Sequence, residues 1–276
     1  MLAAVHTDAY AYEISIAIRA AREAGATALR MQGAVSSTSK ADGSPVTQGD
    51  LAADAVIRHH LGLAFPDDAI LSEEEADAPG KRLGRSRLWI IDPIDGTRDY
   101  LDGSAEWAVQ LALAVDGRLA VGVLDLPAEG LCLVGVPGRG AWILDAMGER
   151  PLHMVSAGED RLITSQSKRN REAVARIAAA LPEFIALHAT SVGVKVWRII
   201  AGTAGLYVHP RSIAEWDAAA PAAVLLAAGG QATDLAGAPL RFNTPEARCP
   251  GLVFSKRPDH STLINRMHLA GVELVP

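Results

Sequence analysis

Apolar and polar positions divide the chain into helical stretches and short strands. Over residues 8–31, Tyr10, Ile14, Ala17, Ile18, Ala21 and Ala28 recur at helical spacing. Glu13, Arg19, Arg22 and Glu23 fall mostly off that face, which predicts an amphipathic helix. Residues 33–50, rich in Gly, Ser, Thr and Asp, predict a long loop or weak hairpin. A loop of that length in a compact domain is often functional. A second helix is expected from near Asp50, with Ala53, Ile57, Leu61 and Ala64 on one face and Pro66 at its end. Apolar runs at 69–74, 87–92, 107–115, 119–126 and 130–138 predict a sheet of successive strands covered by the two N-terminal helices, with Asp116-Gly117 as a hairpin turn. From about residue 159 the pattern alternates: strand 161–165, helix 169–181, helix 192–202, strand 205–210, helix 217–229, strand 252–255 and a C-terminal helix. Alternation of this kind is α/β organisation. The expectation is an N-terminal α+β unit with an antiparallel sheet over 1–158 and a C-terminal α/β unit over 159–276.

Composition narrows the class. A chain of 276 residues fits one large domain or two closely joined ones, and 49% apolar residues supply a sizeable core. Net charge of −6 argues against nucleic-acid binding through phosphate neutralisation. An anionic small substrate stays open, because bound cations reverse the sign of a site. Cys132 and Cys249 lack ligand-like spacing and read as reduced thiols of a cytoplasmic protein. A basic N-terminal segment with an apolar core is missing, and no apolar run reaches about 18 residues, so neither secretion nor membrane spanning is expected.

Three acidic segments carry the candidate chemistry. In Trp89–Thr97, a buried strand delivers Asp92, Pro93 ends the ladder, and Asp95 returns to the same volume. Gly96 permits close backbone approach, and free N–H groups at Gly96 and Thr97 suit an anion. A turn capped by Asp would account for this segment alone. Ser72-Glu73-Glu74-Glu75 places adjacent acids at a strand end, where solvation or bound cations relieve their repulsion. Asp217, in Glu215-Trp216-Asp217, sits at a helix N-terminus, where capping alone would favour a carboxylate; Pro221 then falls where first-turn amides lack partners. Taken together, the segments suit Mg²⁺, a hard cation bound by oxygen.

The ordered set Lys40–Asp50 (KADGSPVTQGD), 71–74 (LSEE), 92–97 (DPIDGT) and 216–221 (WDAAAP) resembles the inositol monophosphatase-like superfamily of lithium-sensitive phosphatases, over roughly residues 10–255. That resemblance implies a layered α-β-α-β-α sandwich. It implies about two to three Mg²⁺ ions held by Glu73, Asp92, Asp95, Asp217 and the Ile94 carbonyl. By the same resemblance Asp50 and Thr97 orient and activate water, Glu74 supports them, and the Gly96 and Thr97 amides hold the scissile phosphate. Within the superfamily, the continuation 97–103 (TRDYLDG) and the turn Ser191–Lys195 resemble the 3′(2′),5′-bisphosphate nucleotidases, which convert 3′-phosphoadenosine 5′-phosphate (PAP) to AMP. Ala220-Pro221 replaces the Ala-Gly of inositol enzymes, and Pro210 stands where those carry an acid. Ser167, Lys168, Gly193 and Lys195 then fall on the substrate side. Lys168 stands where that branch has His, Val194 where it has a small residue, and Arg98 where many members have Lys. The implied partner is a small phosphorylated substrate, a nucleotide in this branch; a homodimer is compatible. Inositol phosphate, histidinol phosphate or a sugar phosphate are alternative substrates of the same chemistry, and a regulatory binding protein on this fold is an alternative of another class. His59-His60 and the basic run Lys81, Arg82, Arg85 and Arg87 read as solvated surface, and Trp107, Trp142 and Trp197 as packing.

Overall fold

The computed structural model describes residues 9–34, 37–39, 45–158, 160–165 and 170–274. Helix α1 (Ala11–Met31) is followed by the antiparallel pair β1 (Ser37–Ser39) and β2 (Pro45–Thr47), then by α2 (Gln48–Ala64). Next come β3 (Ala69–Ser72), α3 (Pro79–Arg82), β4 (Arg87–Asp95), α4 (Thr97–Leu101), β5 (Ala108–Val115), β6 (Arg118–Leu126), β7 (Leu131–Val136), β8 (Gly140–Asp145) and β9 (Gly148–Pro151). Strands β3 to β9 form a seven-stranded sheet in chain order, and only the β3–β4 pair is parallel. The remainder is β10 (Arg161–Thr164), α5 (Arg171–Ala180), β11 (Ile185–His188), α6 (Val192–Ile200), β12 (Leu206–His209), β13 (Ile213–Ala214), α7 (Glu215–Ala227), β14 (Gln231–Thr233), β15 (Arg248–Cys249), β16 (Leu252–Ser255) and α8 (His260–Leu269). It contains a five-stranded sheet of order β11-β10-β12-β16-β14, parallel across β11, β10 and β12.

Alternation along β6 explains the layering. Val121 and Val123 face one side, where α1 and α2 bring Ile14, Ala17, Ala21, Ile57 and Leu61. Leu124 and Leu126 face the other, where α7 brings Ala219, Ala220 and Val224. The five-stranded sheet closes the far side of α6 and α7, and its outer face is covered by α5 and α8 through Ile177, Leu181, Leu263 and Met267. Five layers result, α-β-α-β-α, as the resemblance implies. Among the described residues no helix is long and apolar enough to cross a membrane.

The cross-strand partners Gly122 and Gly135 lie under α7. A Cβ on Gly122 would lie 2.5 Å from Ala223 Cβ, and one on Gly135 would lie 2.5 Å from Val224 Cα. Without side chains at these points the helix backbone rests directly on the sheet.

Several expectations are corrected. Helix α2, expected from near Asp50, starts at Gln48, where Thr47 caps it: Thr47 Oγ1 accepts from the Gly49 and Asp50 amides, and Asp50 Oδ2 accepts from the Thr47 amide. Helix α7 starts at Glu215, so Asp217 is its third residue and not its cap. Pro221 therefore lies beyond the first turn and removes the amide that would bond the Asp217 carbonyl. Strands β8, β9, β11, β13, β14 and β15 are absent from the sequence reading. Arg82 is not solvated: it is 2% exposed and donates to Asp77, Asn243 Oδ1, Thr244 O and Pro245 O. Arg87 pairs with Asp68 and Glu13. His60 meets Glu23 near the surface, and Trp107 is core, as expected.

Candidate functional site

Two elements bring three carboxylates together. Strand β4 carries Asp92 and Asp95, and its register with β5 slips between them, at Pro93. The first turn of α7 brings Asp217. Oxygen atoms of Asp92, Asp95 and Asp217 lie within 4.8 Å of one another. Glu73 follows β3, held against β4 by its amide to the Ile91 carbonyl (3.3 Å). It stands beside the three, close enough to raise the pKa of each. The strand end before it is pinned to α2 by Ser72 Oγ donating to Asp54 Oδ1 (2.5 Å), and the Glu74 amide donates to Ser72 Oγ (3.2 Å).

The electrostatics of this cluster favour a cation. Burial, then the charges of Glu73, Asp95 and Asp217, push the Asp92 carboxyl well above the usual range. Asp217 is pushed up by burial, then by Asp95 and Glu73. Asp95 is raised by burial, against the opposing pull of Ser191 and Gly193. Asp92 Oδ1 accepts the Ile94 amide (3.1 Å), whereas Asp92 Oδ2 is buried and has no hydrogen-bond partner among the described residues. An orphaned buried carboxylate oxygen is costly unless a counter-charge meets it. The donors here are all oxygen, with neither thiolate nor imidazole in the cluster, which matches a hard divalent ion.

Asp95 also organises the next layer. Its Oδ2 accepts from Ser191 Oγ (2.6 Å) and from the Gly193 amide (2.9 Å). Ser191 Oγ in turn caps α6 by accepting from the Val194 amide (3.1 Å). Gly193, expected on the substrate side, thus spends its amide on Asp95. Between β4 and α4, Gly96 adopts φ +103°, and a Cβ there would lie 2.9 Å from the Glu106 carbonyl oxygen, so only glycine makes this turn. Thr97 Oγ1 lies 3.2 Å from both Asp50 Oδ1 and the Ile94 carbonyl. Asp50 is buried with its carboxyl raised, chiefly by burial. The structure therefore brings Asp50, Thr97, Ile94 and Gly96 to the edge of the carboxylate cluster.

A cleft of about 410 Å³ opens onto the cluster, lined by Glu73, Asp95 and Asp217 and by Lys195, Tyr207, His209, Trp216 and Arg248, among others. Lys195 is only 1% exposed. Its Nζ donates to Ser165 Oγ (2.8 Å) and Thr190 O (2.6 Å) and lies 4.7 Å from the Tyr207 ring centroid. Burial lowers its pKa to about 8, though Asp95 and Asp217 oppose this. His209 is pushed down to about 3 by burial and then by Lys195, Arg211 and Arg248, so its imidazole is neutral. Ser167 and Lys168 lie outside the described residues. Sequence reading misses Tyr207, His209 and Arg248. Period-two spacing along β12 would have placed Tyr207 and His209 on one face; nothing local marks Arg248.

A model of the inositol monophosphatase family matches residues 9–266. The 3′(2′),5′-bisphosphate nucleotidase CysQ of Escherichia coli (strain K12) is 31% identical over 211 residues, covering 76% of this chain and 84% of that protein. The 3′-phosphoadenosine 5′-phosphate phosphatase of Mycobacterium leprae is 34% identical over 214 residues, covering 75% and 76%. Among solved structures, the Thermotoga maritima IMPase superposes with a TM-score of 0.78 at 23% identity, over 94% of this chain and 98% of that one. CysQ from Bacteroides thetaiotaomicron gives 0.74 at 25% identity, over 89% and 98%.

Proposed function

This chain belongs to the inositol monophosphatase family, and from that premise we propose that it is a Mg²⁺-dependent phosphomonoesterase converting PAP to AMP and phosphate. One observation carries the metal reading: a buried, partnerless Asp92 oxygen inside a cluster of carboxylates that raise one another's pKa. The substrate reading is supported by the relatives of 31% and 34% identity that are named for this bisphosphate.

Asp92, Asp95 and Asp217, with Glu73 and the Ile94 carbonyl beside them, are the groups that would hold Mg²⁺. When bound, the ion supplies positive charge to the phosphate oxygens and acidifies water. Thr97 and Asp50 form the proton path. The Thr97 hydroxyl has Asp50 Oδ1 and the Ile94 carbonyl as acceptors at 3.2 Å; when it donates to Asp50, its oxygen lone pairs are left to accept a water proton. Asp50, whose carboxyl is raised chiefly by burial, is the carboxylate placed to take a proton through Thr97. Gly96 and Thr97 amides hold the scissile phosphate at the turn, and Glu74 supports the strand end that presents Glu73. Lys195 lines the cleft beside the cluster and stands on the side left for the remainder of the substrate.

Phosphate release from PAP, inositol 1-phosphate, fructose 1,6-bisphosphate and histidinol phosphate, measured side by side with Mg²⁺ and with excess EDTA, tests both parts. PAP should give the highest kcat/KM, and EDTA should abolish turnover of every substrate. Turnover surviving verified metal removal defeats the metal reading; preference for another substrate defeats the nucleotide reading alone.

A further inference from the structure

We propose that Arg248 receives a second, non-scissile phosphate of the substrate and so sets a preference for bisphosphates over monophosphates. This rests on reading the cleft as the phosphatase site, but not on the substrate being a nucleotide.

Arginines in this protein divide by how their donors are used. Arg82 is buried, and its guanidinium donors are matched by Asp77 and the 243–245 loop, so it is a structural pin. Arg248 is exposed and lines the cleft beside Asp217 and His209. Its Nε donates to Ser212 Oγ (2.8 Å) and its Nη2 to Ser212 O (2.7 Å). Nη1 has no partner among the described residues, and no carboxylate among them forms an ion pair with this guanidinium. The side chain is thus tethered at Ser212 on the lining of the cleft, with Nη1 left unpartnered by the described residues.

Placement follows from strand pairing. Arg248 is registered against Ala214, immediately before α7, which carries Asp217. The charge therefore stands at a fixed offset from the reacting end. Arg248 lines the same cleft as Asp217 and His209. Lys195 cannot play this part as readily, because its ammonium is turned into the wall onto Ser165 and Thr190. A planar fork with idle N–H groups fits the oxygens of a phosphate. Tethering by Ser212 reduces the ordering cost on binding.

The test uses substrates that differ only in the second phosphate. Wild type, Arg248→Ala and Arg248→Lys are assayed on PAP and on adenosine 3′-monophosphate, which keeps the scissile group and lacks the other. Arg248→Ala should lower kcat/KM for PAP by about 10- to 100-fold, mainly through KM, and that for the monophosphate by no more than about threefold. Arg248→Lys should recover part of the loss. Equal losses on both substrates, or none on either, overturn the assignment. Because the tether to Ser212 also braces a loop, Arg248→Gln, which can still reach Ser212, is assayed alongside. It should keep the wild-type unfolding midpoint yet lose the bisphosphate preference; retained preference overturns the assignment. If the wild type ignores both nucleotides but hydrolyses fructose 1,6-bisphosphate, the nucleotide reading has failed. The same ratio taken against fructose 1-phosphate then decides Arg248.

Discussion

Asp95 serves two neighbourhoods at once. One oxygen binds Ser191 and Gly193 and so fixes α6, while the carboxylate as a whole completes the acidic cluster. Asp95→Asn keeps the size and an acceptor for Ser191 but removes charge. We expect kcat to fall by at least about 100-fold on every substrate, comparable to losing a key electrostatic group; near-wild-type kcat in a folded mutant would refute the assignment. Asp125 is a second buried carboxyl, on β6 against Gly25 of α1, where a Cβ at Gly25 would lie 2.2 Å from Asp125 Oδ2. Burial raises it to about 7, against the attraction of Arg22. A carboxyl raised in the native state gives stability that is complete below about pH 4 and lost as pH rises through about 7. The loss is at most about 4 kcal/mol at 1.36 kcal/mol per pKa unit. Asp125→Asn should therefore gain on wild type between pH 5 and pH 8, read from urea midpoints; parallel pH profiles would count against it. At this scale Asp92, Asp95 and Asp217 were legible in the sequence, because acids next to Pro and Gly, or beginning a helix, are local signals. Arg82 and Arg248 were not: what separates a pin from an idle fork is a set of partners far along the chain.

Among the elements, α7 positions the most. It brings Asp217 to β4 and lies on Gly122 and Gly135. Gly135→Ala would ordinarily stabilise by about 0.4–1 kcal/mol through the unfolded chain. Here the new Cβ meets the α7 backbone at 2.5 Å, which cannot rotate away. Overpacking of about 1–3 kcal/mol should win, giving a net loss of stability. A denaturant midpoint equal to or above wild type would contradict this. Helices and the long buried strands were legible because their periodicities are strong. Strand β9 is a short edge strand with only partly covered residues, and β11 is an edge whose residues are mostly exposed, so neither shows an apolar pattern to read. The start of α7 was misread because Asp217 and Pro221 looked like a cap and a first-turn proline, whereas pairing of Ala214 with Arg248 sets the boundary earlier.

Across the whole molecule, the five layers were legible only through the family-like motif set; periodicity alone yielded two halves in series and not their interleaving. The large sheet is complete by Pro151, yet one of its faces is covered by α7, and the Arg82 pin closes on residues 243–245. That arrangement bears on how the chain leaves the ribosome. While the first half emerges, its sheet shows Leu88, Leu124 and Leu133 to solvent with nothing yet made to cover them. The nascent protein passes through a sticky interval that ends only when α7 clears the exit tunnel, and slowing translation between these two points would lengthen its dependence on chaperones.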